Sequence, residues 1–187
     1  LLQGEGDMEL VAATEAEGHP AMGSDAGEVA GVGRLGIDVG TDPDAGADVD
    51  AAEAVIAGAD VLLLQLEIPL AVVSRAAEVA RAHGAKVILN PAPACPLPHE
   101  LLPLIDVLVP NESEAALLTG LPVGDRAEIE SAAMALLDLG VDTVVLTLGK
   151  QGALLVREGE KESVSAFEVA PVDTTAAGDA FVGGFTV

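Results

Sequence analysis

Hydrophobic residues in this chain form short continuous runs that alternate with longer stretches of mixed polarity. Short apolar runs bounded by turn residues are typical of strands buried on both faces, and the longer stretches are typical of amphipathic helices. The apolar runs predict strands at 60–66, 86–90, 106–109 and 143–148. This alternation predicts an α/β fold, in which a mostly parallel sheet is layered between helices as α/β/α.

Turn and capping residues mark the ends of the intervening helices. Pro69 opens a helix predicted to run to about Ala82, and the pair His83–Gly84 ends it. The remaining predicted elements are helices at 50–59, 112–119 and 127–139, followed by a hairpin of strands at 153–156 and 163–169. The three phenylalanines, Phe167, Phe181 and Phe185, are predicted to lie in the core.

The first fifty residues follow neither a helical nor a strand period. Glycine and aspartate recur from Gly23 to Asp50, with few β-branched residues and no aromatic ones. This composition predicts a linker or a partly disordered acidic segment. We therefore predict a poorly defined segment at 1–50 and a folded core at 51–187.

The charge balance of the chain is strongly acidic, with 31 acids, 8 bases and a net charge of −23. Such a surface repels nucleic acids and anionic membranes, so neither is expected as a partner. A hydrophobic content of 50% argues against disorder over most of the chain. An excess of acids in a folded protein is typical of adaptation to concentrated salt, which predicts a halophilic source.

The cysteine content and the lack of long apolar segments bear on the cellular location of the protein. Cys95 is the one cysteine in the sequence, no apolar run is long enough to span a membrane, and no signal peptide is visible. These features predict a cytoplasmic protein. The chain begins with Leu1 and stops at Val187 inside a predicted helix, which suggests a piece of a longer protein.

The strongest chemical signal lies between Asp173 and Phe181, where three small residues precede Asp179 at the start of a predicted helix. Small side chains let a phosphate approach the backbone, and a helix start attracts anions. An acid beside them can accept the proton of an attacking hydroxyl group. Taken alone, an acidic first turn on an ordinary helix explains the pattern slightly better.

The same stretch resembles the second signature of the ribokinase-like carbohydrate kinases, the PfkB family, which reads D-T-x-G/A-A-G-D-x-F. The resemblance implies that Asp179 is the catalytic base on the sugar hydroxyl. It also implies an anion hole for the transferred phosphoryl group, formed by the backbone of Ala176, Ala177 and Gly178 up to Asp179. Asp173 and Thr175 match positions that help to hold a monovalent cation.

Two further motifs follow strand ends, where ligands bind in sheets of this type. Glu67 resembles the acid that reaches the sugar in the family, although a solvated acid at a helix start explains it equally well without the family. Asn111 and Glu114 resemble the N-x-x-E motif, in which Asn111 supports phosphate binding and Glu114 organises waters around Mg²⁺. Without the downstream signature, Asn111 as a helix cap is the better explanation.

The turn after the predicted strand 143–148 resembles the family's ATP-binding turn and points to Thr147, Gly149 and Gly152 as nucleotide-binding residues. A plain β-turn is the alternative. The spacing of a P-loop is absent, and no dinucleotide-binding glycine motif follows a strand. Asn90 follows another strand, and its side chain either faces the nucleotide phosphates or holds its proline-rich loop.

The resemblance implies a phosphotransferase acting on ribose, a ribokinase activity that converts ATP and D-ribose to ADP and ribose 5-phosphate. It implies Mg²⁺ and activation by K⁺, and a homodimer as one assembly. The ribose assignment depends on Gln65–Glu67 and on Asn90–Ala94, because the sugar-binding N-terminal half of the family is not visible here. The alternatives are another sugar or nucleoside kinase of the family, such as a fructokinase, and a non-catalytic remnant. The 187 residues alone are expected to be inactive.

Overall fold

The computed structural model describes residues 13–14, 39–40, 49–169 and 176–186. Ala13–Thr14 (β1) and Val39–Gly40 (β2) pair as a short parallel ladder. Most of the segment 1–50 lies outside the described residues, so its separation from a core at 51–187 stays a prediction.

A six-stranded sheet forms the centre of the described region, and its strands follow one another in chain order. The first four strands are parallel neighbours, whereas the last two extend the sheet as an antiparallel hairpin. The mostly parallel sheet predicted from the apolar runs is therefore confirmed. The strands are Val61–Leu64 (β3), Lys86–Leu89 (β4), Val107–Leu108 (β5), Thr143–Thr147 (β6), Ala153–Arg157 (β7) and Glu160–Val164 (β8).

In the described residues, five helices connect and flank these strands, and most of their bounds lie within a residue or two of the predicted ones. Pro69 occupies the position just before its helix, and glycines follow the helices that end at His83 and Thr119. The helices are Glu53–Ala57 (α1), Leu70–His83 (α2), Glu112–Thr119 (α3), Arg126–Asp138 (α4) and Ala177–Thr186 (α5), with 3₁₀ turns at Leu102–Leu104 and Gly149–Gln151. Within the described residues, no helix combines the length and apolar character needed to cross a bilayer.

The two faces of the sheet carry separate apolar clusters because successive strand residues point to opposite sides. Val144 and Leu146 of β6 belong to the larger cluster, which also contains buried residues of α1 to α4. Val145 belongs to the smaller cluster on the opposite face, where Val182 of α5 packs. Helices therefore contribute to both apolar clusters, as the layered α/β/α prediction requires.

Two predictions about the C-terminal part are wrong. The second hairpin strand begins at Glu160 rather than at residue 163, because the turn is only two residues long and Arg157 pairs directly with Glu160. Phe167, Phe181 and Phe185 are not core residues, since 94%, 38% and 39% of their surfaces are exposed. α5 buries Val182 against the sheet, and its two phenylalanine rings stack on each other instead.

Candidate functional site

The carboxyl ends of the parallel strands meet at one edge of the sheet, and polar residues follow three of them. Leu64, Leu89 and Leu108 are register partners at the ends of β3, β4 and β5. Gln65 and Asn90 come directly after the first two of these leucines, and Asn111 follows the third by three residues. This edge is where parallel α/β sheets bind ligands, so it is the candidate site.

Asp179 lies in the first turn of α5 and reaches this edge through a hydrogen bond. Nε2 of Gln65 donates to Oδ1 of Asp179 at 2.8 Å, which joins the start of α5 to the end of β3. The carboxylate is exposed. An exposed acid at a helix start beside a ligand-binding edge is well placed to take a proton from a bound hydroxyl group.

The chain enters α5 through a left-handed residue, Ala176, with φ of 57°. This conformation is strained for a residue with a Cβ atom and costs about 1 kcal/mol or more. α5 begins at Ala177, and the first N–H groups of any helix have no partner inside the helix. The backbone at Ala177, Gly178 and Asp179 therefore offers donors to an anion at the place where the signature predicts an anion hole.

Behind Asp179, a continuous series of hydrogen bonds leads into the sheet, and we call it the amide chain. Nδ2 of Asn90 donates to the carbonyl of Val109 at 2.8 Å, and Oδ1 of Asn90 accepts from Nε2 of Gln65 at 3.1 Å. The amide chain thus runs from Val109 through Asn90 and Gln65 to Asp179. Asn90 is only 7% exposed, and its side chain joins the end of β4 to the ends of β3 and β5, so both roles predicted for it stay predictions.

Asn111 and Glu114 form a reciprocal capping box at the start of α3. Oδ1 of Asn111 accepts from the backbone N–H of Glu114 at 2.9 Å, while the Glu114 carboxylate accepts from the backbone and side-chain nitrogens of Asn111, each at 2.8 Å. Burial raises the pKa of Glu114, and the hydrogen bond from the Asn111 backbone partly offsets this. Asn111 therefore caps α3, and this geometry is compatible with the predicted role of Glu114 at a metal.

Each oxygen of an ionised carboxylate has two lone pairs, so one hydrogen bond to each oxygen leaves Glu114 able to accept from further donors. Within the described ranges, no three His, Cys, Asp or Glu side chains cluster as direct metal ligands. A single buried carboxylate therefore suits Mg²⁺ held through water, because this ion usually keeps several of its waters.

Thr147 and the turn after β6 lie beside Asn111. Thr147 forms a parallel bridge to Asn111, and its backbone N–H donates to the carbonyl of Pro110 at 2.9 Å. A 3₁₀ turn at Gly149–Gln151 follows, and the Leu148 N–H donates to the Gly152 carbonyl at 2.8 Å across it. The structure therefore brings two of the predicted phosphate- and nucleotide-binding residues together, with the glycine turn directly after them.

The two glycines of this turn differ in what surrounds them. A Cβ atom on Gly152 would lie 1.9 Å from the Val164 carbonyl, so packing of the β7–β8 hairpin already requires glycine there. A Cβ atom on Gly149 would meet nothing within 4 Å, although φ of +52° favours glycine. Gly149 therefore presents an open backbone at the site, whereas Gly152 has a structural explanation.

The structure links the remaining predicted site residues less directly to the carboxyl edge of the sheet. Glu67 is exposed in the turn between β3 and α2, two residues beyond Gln65. Asp173 and Thr175, the predicted monovalent-cation residues, lie outside the described residues. Gln65 has no predicted role of its own, although a polar residue directly after an apolar strand is the signal that could have identified it.

The fold and the polar strand ends define an α/β protein with a ligand site at the carboxyl edge of its sheet. The profile of the pfkB family carbohydrate kinases matches residues 41–187. This chain therefore belongs to the pfkB family of carbohydrate kinases.

Named relatives and a solved structure resemble the chain over most of its length. It is 50% identical over 133 residues to the ribokinase of Haemophilus influenzae, covering 71% of this chain and 44% of the relative. It is 41% identical over 139 residues to a deoxyribokinase of Salmonella typhi, covering 74% of this chain and 45% of the relative. A structure of Arabidopsis thaliana ribokinase complexed with ribose and ATP is 37% identical with a TM-score of 0.70, over 73% of this chain and 45% of that one. The chain thus spans less than half the length of these relatives.

Proposed function

We propose that the full-length protein transfers the γ-phosphoryl group of ATP to D-ribose and releases ADP and ribose 5-phosphate. The observation that carries this proposal is the carboxylate of Asp179, exposed in the first turn of α5 and hydrogen-bonded to the end of β3. Family membership and the ribokinase relatives support it. Because this chain spans less than half of those relatives, the activity belongs to the whole protein.

In this mechanism Asp179 is the general base. Oδ1 accepts from Gln65, and we assign the primary hydroxyl of the sugar to the other oxygen, Oδ2. The proton moves to Oδ2 while the sugar oxygen forms its bond to the γ-phosphorus and the bond to the bridging oxygen of ADP breaks. A positioned base of this kind typically accelerates a reaction by about 10²- to 10⁴-fold.

The start of α5 stabilises the negative charge that develops on the transferred group. The backbone of Ala176, Ala177 and Gly178 lies directly before Asp179, so base and anion donors are held by the same helix turn. Donors fixed in advance at such a position are effective because they need no reorganisation during the reaction.

Asn111, Thr147, Gly149 and Gly152 are proposed to contact the nucleotide, with Gly149 as the open backbone position. Glu114 would hold Mg²⁺ through water, and Asp173 with Thr175 would contribute to a K⁺ site. When bound, these cations supply positive charge that offsets the charge on the phosphates.

Sugar choice is the finer part of the proposal. Glu67 is assigned to a hydroxyl of the ribose, which suits its exposure beside the site. The deoxyribokinase relative, at 41% identity, favours 2-deoxyribose as the second candidate substrate. The proposed setting is the cytoplasm of a salt-adapted cell, with a homodimer as the proposed assembly.

The test is ADP release by the full-length gene product with Mg-ATP in molar KCl, using ribose, 2-deoxyribose, fructose and adenosine in parallel. The expected result is the highest kcat/KM with ribose. A higher kcat/KM with another acceptor would overturn the ribose assignment and keep the kinase. Binding of ATP without turnover on any acceptor would refute the kinase proposal and favour a non-catalytic remnant.

A further inference from the structure

The amide chain has only one consistent direction. The Val109 carbonyl can only accept, so the Asn90 side chain must turn its nitrogen towards it. Oδ1 of Asn90 then faces Gln65, which must present Nε2. The same Nε2 carries a second hydrogen, and that hydrogen points to Oδ1 of Asp179.

Backbone pairing anchors the amide chain at both amide residues. The Asn90 N–H donates to the Leu64 carbonyl at 2.9 Å, and the Leu66 N–H donates to the Ala92 carbonyl at 2.8 Å. The pairing of β3 with β4 therefore continues on both sides of Gln65. Asn90 is buried, so its Oδ1 is a fixed acceptor that orients the side-chain amide of Gln65.

The helix that carries Asp179, α5, does not anchor its carboxylate in the same manner. It is exposed, and its helix buries only Val182 among the residues of α5 whose burial the structure describes. The hydrogen bond from Gln65 is therefore the contact through which the rigid sheet can set the orientation of the carboxylate. Orientation matters because displacing a reacting group by about 1 Å can cost about 10²-fold in rate.

We propose that Gln65 is a positioning residue, which holds Oδ1 of Asp179 and so directs Oδ2 towards the acceptor hydroxyl. This inference rests on the proposed kinase function, because it acts through Asp179 as the base. Gln65 itself takes no proton and needs no contact with the sugar or the nucleotide.

The kinetic test uses Gln65→Leu and Gln65→Glu in the full-length gene product. Leucine removes the donor, and glutamate keeps the size but replaces the donor with an acceptor. Both variants should lose about 10- to 100-fold in kcat while the KM for ATP stays within about twofold. Ser131→Leu, which changes an exposed residue of α4, is the control and should keep the kcat of the parent protein.

A cycle with Asp179→Asn separates positioning from a general structural role. If Gln65 acts only through the base, Gln65→Leu should cause no further loss of kcat once Asp179 is asparagine. An equal loss of kcat in both backgrounds would overturn the inference, and so would an unchanged kcat in Gln65→Leu.

Thermal unfolding provides a reading that does not depend on turnover. Gln65→Leu and Asp179→Ala should lower the melting temperature non-additively, whereas Ser131→Leu and Asp179→Ala should be additive. Additive effects for the first pair would overturn the contact. Absence of turnover in the parent protein, with coupling intact, would refute the proposed function and the positioning role while leaving the contact in place.

Discussion

Asp106 is a buried carboxylate that ties together the end of the sheet opposite the candidate site. Its side chain is 5% exposed and accepts from Arg81 Nη1 at 2.9 Å and from Lys86 Nζ at 2.7 Å. The Val87 N–H donates to its other oxygen at 2.8 Å. Burial acts to raise its pKa, but the hydrogen bonds from Lys86 and Val87 and the charge of Arg81 hold the pKa below its usual value.

Asp106→Asn should lower the free energy of unfolding by about 2 kcal/mol, because the hydrogen bonds from Arg81 and Lys86 to a charged group are replaced by weaker ones to a neutral amide, while both cations stay partly in contact with water. In the parent protein, the contribution of Asp106 is present above the unfolded pKa of about 3.9 and is lost as pH falls through the lower folded pKa. Urea unfolding at neutral and acidic pH measures both effects. Asp142→Asn, an exposed change, is the control, and an equal loss there would contradict the assignment.

Some residues of the site could be predicted from the sequence and others could not. Asp179 could be predicted because its neighbours form a local signature, and α3 because a capping box and Gly120 define its ends. The part played by Gln65 could not, since it depends on a partner 114 residues away in the chain. The exposure of Phe181 and Phe185 was missed for a related reason, because hydrophobic character alone does not say which face of α5 meets the sheet.

At the scale of elements, α3 and α4 begin with the same capping box. Asn111 and Glu114 form it in α3, and Asp125 and Glu128 form it in α4. Glu114 is buried and lies at the candidate site, whereas Glu128 is half-buried and belongs to the box that caps α4. The two boxes therefore form a matched pair, in which capping is shared and only Glu114 has a proposed metal role.

Glu114→Gln should raise the Mg²⁺ concentration needed for half-maximal kinase activity by about tenfold, a loss typical for residues that orient metal ligands. Glu128→Gln removes the same capping charge and should leave the Mg²⁺ dependence unchanged. Activity measured across a Mg²⁺ titration, with melting temperatures beside it, compares the two. An unchanged Mg²⁺ dependence in Glu114→Gln would leave capping as the only role of this residue.

At the scale of the whole molecule, the net charge of −23 works against the compact state through self-repulsion. Several acids are already paired, for example Glu130, whose pKa is held below its usual value by hydrogen bonds from Lys161 and Arg126. With 8 bases for 31 acids, most acids have no cation available to them. We therefore expect dissolved salt to provide much of the screening of these charges.

The melting temperature of the full-length gene product should rise between about 0.1 M and molar KCl, because the Debye length falls from about 10 Å to about 3 Å over that range. Since screening depends on ionic strength, NaCl should act in the same direction. Differential scanning calorimetry in both salts gives the measurement. A melting temperature that stays constant or falls would remove the halophilic interpretation.

The role of Asp179 as the base is tested by comparing the full-length gene product with its Asp179→Asn variant. Sugar-dependent ADP release and ATP affinity are measured for both proteins in molar KCl with Mg²⁺. The predicted result is a loss of about 10²- to 10⁴-fold in kcat with ATP affinity within a few-fold, because asparagine keeps the shape but cannot take the proton. Near-normal turnover by the variant would contradict the assignment.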